Sequence, residues 1–177
     1  MVYRYMKMEE LESFLEIDRR EVIEHVYYYR DGKLELEEEY YEMDGFPEGE
    51  QQALLERQRR ILEGGGYVIG AYNGDTLIGI TSVENKLRGK DCNYIKMDIL
   101  FVSKNYRGRG IAKALMESAV KAARKLNGKK LYISATPSEN TINFYFSMGC
   151  VLAKALDEEL FNLEPYDIHL ELDLEGR

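Results

Sequence analysis

The segment "YIKMDILFVSKNYRGRGIAKAL", which starts at Tyr94, constrains the chain most. Its first part is an apolar run of strand length. Its continuation carries Ile111, Leu115, Ala119, Ala122 and Leu126 at helical spacing. Between them stand Gly108 and Gly110, flanked by Arg107 and Arg109, with Lys104 and Lys113 close by. A buried strand that turns at once into an amphipathic helix belongs to a layered α/β domain. The first N–H groups of such a helix lack partners within it, and the aligned peptide dipoles make that end partly positive. With a helix starting near Gly108, small residues at Gly110 and Ala112 leave the amides around Arg109, Gly110, Ile111 and Ala112 uncovered, and Arg107, Arg109 and Lys104 add charge, so the pattern suits a diphosphate. A capped surface helix with solvated arginines fits the same local pattern. A Walker-type loop would need Gly-Lys-Ser/Thr where Gly110 is followed by Ile111, and a dinucleotide fingerprint would put its third glycine at Lys113.

The rest of the chain supplies the layers. Val2 to Lys7 reads as a strand and "MEELESFLEI" as a helix. "EVIEHVYYYRDGKLELEEEYY" reads as a hairpin turning at Asp31-Gly32, although Val22, Val26 and Tyr29 also suit a helix. Pro47 to the three glycines at 64–66 is a helix, followed by strands Tyr67–Tyr72, Thr76–Glu84 and Asn93–Val102. "KKLYISA" is a buried strand. "TPSE" reads as a capping box with Thr136 as N-cap, opening a helix through Asn140 to Met148, and strands at Cys150–Ala155 and Asp167–Leu174 end the chain. The expected fold is a single α/β domain over 1–177, a mixed central sheet with helices on both faces.

With 177 residues and a formal charge of -8, the chain is suited to one sizeable core and not to general affinity for nucleic acid or anionic membrane. Cys92 and Cys150 have no metal-ligand spacing, no metal site is expected, and no segment has the ~20 apolar residues of a membrane span. A cytoplasmic location follows as the expectation. His25 and His169 stand without recognisable triad partners.

Arg107 to Ala112 fits the pattern Arg/Gln-x-x-Gly-x-Gly/Ala, and "ENTINFYFSMGC" places an aromatic pair ending in Tyr145 a helical turn before Gly149. In this order, with a strand between them, the two motifs resemble those of the GNAT superfamily of N-acetyltransferases. The position where that family often has an asparagine is Ser138 here, and the nearest asparagines are Asn140 and Asn143, of which Asn140 is the candidate for a cofactor contact. The resemblance implies acetyl-CoA as acyl donor, with residues 67–174 as its binding core and 1–60 as acceptor-side helices and hairpin. Its pantetheine arm would lie in a gap beside the strand, against backbone groups of Leu100, Phe101 and Val102. The diphosphate would meet Arg107, Gly108, Arg109, Gly110, Ile111, Ala112 and Lys113.

A lysine-like amine is neutral about once in 2,500 molecules at pH 7, roughly 4.6 kcal/mol uphill, so a proton acceptor or a water chain is required. Asp98, with Glu84 beside it, is the candidate base because it lies on a central strand. By resemblance Tyr145 faces the departing thiolate. The Tyr27–Tyr29, Tyr40 and Tyr41 cluster with its Glu35–Glu42 run could wall a cationic acceptor or be a solvated hairpin. The expected partner is a small-molecule amine, with self-association as a homodimer left open. A protein N-acetyltransferase and a non-catalytic acyl-CoA sensor are the alternatives.

Overall fold

The apolar run that opens the constraining segment is the sixth strand of the chain, inside the larger sheet between its fifth and seventh strands. The computed structural model describes residues 1–176. In chain order the elements are β1 (Val2–Tyr5), a 3₁₀ helix (Met8–Glu16), β2 (Glu21–Arg30), β3 (Lys33–Met43), α1 (Glu50–Glu63), β4 (Tyr67–Asn73), β5 (Thr76–Arg88) and β6 (Tyr94–Val102). A second 3₁₀ turn (Lys104–Tyr106) follows β6, so the strand does not pass at once into the helix, and the elements continue with α2 (Ile111–Lys125), β7 (Lys130–Ala135), α3 (Glu139–Ser147), β8 (Val151–Leu152), α4 (Glu158–Leu163) and β9 (Ile168–Asp173). One sheet runs β1-β4-β5-β6-β7-β9-β8, and β2-β3 form a separate hairpin. Among the described residues, only β6 and β7 pair in parallel, because α2 crosses over between them.

Helices cover both faces. The buried stripe Ile111, Leu115, Met116, Ala119, Ala122 and Ala123 of α2 shares a core with Ile95 and Met97 of β6. On the other face Leu54, Leu55 and Ile61 of α1 pack with Leu11 and Phe14 of the 3₁₀ helix against Ile80 and Ile99.

One irregularity matters for function. Ser82 pairs with Ile99 and Val83 with Met97, so Asp98 is an extra residue in β6. Such a bulge bends a strand and resets its alternation. The pairing with β7 stops at the same place: Met97 opposes Ile133, while Ser134 and Ala135 pair only with His169 and Ile168 of β9. Beyond the bulge β6 and β7 part, and a gap opens between them.

Two local expectations are corrected, and one element is added. The helix after β7 begins at Glu139 with Ser138 as N-cap, not Thr136, and the Ser138 hydroxyl donates to Thr141 Oγ1 at 2.8 Å. Thr136 cannot cap it because this stretch is drawn into pairing with β2: the Tyr27 amide donates to the Pro137 carbonyl at 2.7 Å, and Val26 bridges Ser138. Residues 8–16 are 3₁₀ rather than α. The short helix α4, whose N-cap Asp157 accepts from the Leu160 amide at 3.0 Å, had no counterpart in the sequence reading.

Candidate active site

The gap between β6 and β7 continues into a cleft of about 840 Å³. Its walls come from β6 after the bulge, the loop into α2, the end of β7, and α3, with the base of the hairpin, α1 and the segment before β9 on the other side.

Backbone alternation decides which groups of β6 face the gap. The Ser103 amide donates to the Ile78 carbonyl at 2.9 Å, toward β5. Counting back by two, Phe101 also turns its backbone to β5, while Leu100 and Val102 turn theirs to the gap. Expecting gap-side backbone contacts from all three residues is thus corrected for Phe101. Its ring instead joins Phe46 at 5.4 Å and Phe14 at 6.3 Å, with the Arg19 guanidinium 5.1 Å above it.

At the mouth of the gap, Gly108 and Gly110 have φ of 73° and 78°. A side chain there would meet no protein atom within 4 Å, so the space in front of both is open. Only glycine holds that backbone without strain. Among the described residues, the amides from Gly108 through Lys113 have no hydrogen-bond acceptor, and the next one, Ala114, donates to the Gly110 carbonyl at 3.1 Å. A run of free amides at the positive end of a helix is a ready anion site. The flanking arginines are used otherwise than expected. Arg107 donates from Nε to the Val102 carbonyl at 2.9 Å and from Nη1 to the Arg20 carbonyl at 3.1 Å, stapling the turn. Arg109 lies 5.5 Å from the Tyr106 ring centroid. Asn140 lines the cleft, as Lys113 does, whereas Asn143 accepts a hydrogen bond from the Tyr27 hydroxyl at 3.0 Å.

Helix α3 turns Asn140, Thr141, Phe144, Tyr145 and Met148 to the cleft, a stripe of helical spacing. Tyr145 is buried, and among the described residues its hydroxyl has no hydrogen-bond partner. Burial first, then the nearby Cys150 thiol and Asp167 carboxylate, raise its pKa well above the usual phenol value. At neutral pH it is therefore a hydrogen-bond donor and a poor proton source.

Asp98 is corrected as a base. Its carboxylate is fully buried and accepts from Lys96 Nζ at 2.9 Å, Arg57 Nε at 2.8 Å and Gln58 Nε2 at 2.9 Å. Burial alone would raise its pKa, but the Lys96 and Arg57 cations outweigh it and hold the carboxyl below the usual range. It anchors the bulge instead. Glu84 likewise pairs with Arg88 at 3.0 Å.

The tyrosine and glutamate run of the hairpin is not in the cleft. Glu35 and Glu37 pair with Arg30, Glu39 accepts from Tyr28 and Glu42 from Tyr40, all on the exposed surface. Only Glu21 and Met43, at the hairpin's base, reach the cleft. The residues that sequence reasoning missed are Arg19, Arg57, Glu164 and Asp167. Nothing local marks them, since the chain brings them together only through the fold.

Among the described residues, no helix is long and apolar enough to cross a membrane. The model of the acetyltransferase (GNAT) family matches residues 30–150. No curated protein matches the sequence. Among solved structures, a nourseothricin acetyltransferase superposes with a TM-score of 0.73 at 18% identity, over 98% of both chains. A candidate streptothricin acetyltransferase from Bacillus anthracis str. Ames, in complex with acetyl coenzyme A, gives 0.72 at 19% identity over 97% of both. The PaiA N-acetyltransferase from Thermoplasma acidophilum, in complex with coenzyme A, gives 0.62 at 16%, over 98% of this chain and 99% of that one. At these identities the likeness is one of fold.

Proposed function

Since the chain belongs to the acetyltransferase (GNAT) family, we propose that it moves an acetyl group from acetyl-CoA to a primary amine on a small cationic molecule. One observation carries this reading. The gap that opens at the Asp98 bulge runs directly into the free amides from Gly108 to Lys113, so one extended ligand would meet a strand edge and then a helix start. An acyl-CoA has that order of parts. Gap-facing groups of Leu100 and Val102 suit its amide-containing arm as an added strand would, and the amides of 108–113 with Lys113 suit its diphosphate.

Acetyl-CoA supplies a thioester, whose acetyl group is activated toward an amine. The Leu100 N–H is the donor available to the thioester oxygen, where negative charge grows. Tyr145, protonated and unpartnered, donates a hydrogen bond toward the leaving sulfur. Asn140 and Thr141 orient the ligand from α3.

The acceptor side is framed by residues of the first 60 positions together with Glu164 and Asp167. Arg19 is tied to Glu50 at 2.8 Å and Arg57 to Asp98, which neutralises both cations, whereas Glu21, Glu164 and Asp167 remain for a positively charged acceptor. The fold likeness to a nourseothricin acetyltransferase makes that compound one reasonable member of the acceptor panel.

The test is release of free CoA from acetyl-CoA with nourseothricin, spermidine, kanamycin and lysine methyl ester as acceptors, beside Tyr145→Phe. Wild type should turn over at least one. The Phe variant should keep its KM for acetyl-CoA and its thermal midpoint while kcat falls by about one to three powers of ten, the range for losing a stabilising donor. Full activity in that variant would leave Tyr145 a packing residue. Acetyl-CoA binding without turnover on any acceptor would make the protein an acyl-CoA sensor.

A further inference from the structure

Amine acetylation needs a group to take the amine's proton, and the donors around Asp98 deny it that role. Among the described residues, Glu21, Glu164 and Asp167 line the same cleft without a side-chain hydrogen bond or ion pair, and of these three Asp167 is the one whose charge acts on the Tyr145 phenol. Asp167 is half-buried, and among the described residues its side chain has neither a hydrogen bond nor an ion pair. It stands one residue before the register pair Ile168–Ala135, at the level where β7 has already left β6. Its own amide donates to the Glu164 carbonyl at 3.2 Å, which fixes the turn that carries it. It lines the cleft with Tyr145 and is close enough for its charge to act on the Tyr145 phenol.

We infer that Asp167 is the catalytic base, the group that takes the proton from the acceptor's nitrogen; the inference rests on the acetyl-transfer reading above. The step balances without any further reactant. The neutral amine attacks the thioester carbon, and as the N–C bond forms the nitrogen becomes cationic and acidic. Asp167 takes that proton. The C–S bond breaks with its electron pair on sulfur, held by the Tyr145 hydroxyl, and the proton on Asp167 passes through water to the thiolate. The products are the amide and the CoA thiol.

The surroundings suit a base that works near neutrality. Burial and then the Glu164 carboxylate push the Asp167 carboxyl up to about 6, while Arg19 and Lys96 pull it down; with the Tyr145 phenol these are the charged and titratable groups that face it. It is ionised at pH 7 yet far more basic than Asp98, and a catalytic pKa close to the working pH gives the most effective base.

Ionised Asp167 is disfavoured by the fold, because its folded pKa lies above the ~3.9 of an unfolded chain. That penalty is present above about pH 6 and absent below about pH 4. Asp167→Asn should therefore raise the thermal midpoint at pH 8, with the difference closing by pH 4. With the best acceptor of the panel, the same variant should lose about a hundredfold in kcat, and the acid limb of kcat near pH 6 should vanish. Asp167→Glu should restore part of that limb, and the KM for acetyl-CoA should not move. Wild-type turnover with an Asp167→Asn variant that keeps kcat and the acid limb, or changes only the acceptor's KM, would overturn the inference and leave acetyl transfer standing. No wild-type turnover on any amine would remove both.

Discussion

Asp98 and Asp167 face one cleft from opposite electrostatic environments. Three donors close around the first, and burial with a like charge acts on the second. Environments that push two carboxyls apart assign them different work. Asp98 serves the backbone, since removing its charge leaves Lys96 buried beside the bulge with its closest counter-ion gone. Asp98→Asn should cost about 3 kcal/mol in urea unfolding at pH 7, as for breaking a buried pair. The sign in pH follows from its depressed folded pKa. The stabilisation is whole above the unfolded carboxylate range and is lost as pH falls through the lower folded value, so wild type and variant converge only in strong acid. The acid limb of kcat should survive this substitution, which separates the two aspartates. The sequence pointed to Asp98 because a carboxylate on a central strand is conspicuous. Its saturation depends on Arg57, 41 residues away, and no local pattern reports that.

At the scale of elements, the strand-to-helix segment was legible because each part follows a local rule: apolar strand, left-handed glycines, helical stripe. The bulge was not, since an extra residue in one strand exists only relative to its partner. Thr136 failed as a cap for a related reason, its local signal losing to hydrogen bonds from β2. Gly110 tests the helix start. Its φ of 78° makes Gly110→Ala cost about 1–2 kcal/mol, and a methyl group there meets no protein, so the fold should persist. Acetyl-CoA affinity by calorimetry should drop at least about tenfold, roughly 1.4 kcal/mol, because the methyl enters the space in front of the free amides. Unchanged affinity would move the diphosphate elsewhere. The hairpin tests the opposite case. Replacing Glu37, Glu38 and Glu39 together with Gln should leave the acceptor's KM where it was, since none of them reaches the cleft, and a rise in KM would return the hairpin to the substrate side.

For the whole molecule, the sheet is continuous up to Met97 and Ile133 and divided beyond them, so its two halves are joined across the gap only by what fills it. The single α/β domain could be read from the order of elements in the sequence, whereas this division could not, because it arises from one bulge and one register end meeting at the same level. The net charge of -8 adds a second constraint: an anionic ligand must approach an anionic protein, and the partial charge of the α2 start with Lys104 and Lys113 provides the local exception. A ligand that occupies both gap and helix start should stabilise the folded chain by about 2.7 kcal/mol at a hundred times its Kd. For a chain of this size that corresponds to a rise of roughly 5–10 °C in thermal midpoint. The rise should shrink with added salt, since part of the attraction is between exposed charges. Hydrogen exchange locates the effect. Amides from Gly108 to Lys113, together with that of Leu100, have no acceptor supplied by a neighbouring strand or turn and should exchange fast in the free protein. Acetyl-CoA should slow them together, while Phe101, paired to β5, should change little. Protection that appears on the hairpin or on β1, with 108–113 unaffected, would put the cofactor outside this cleft.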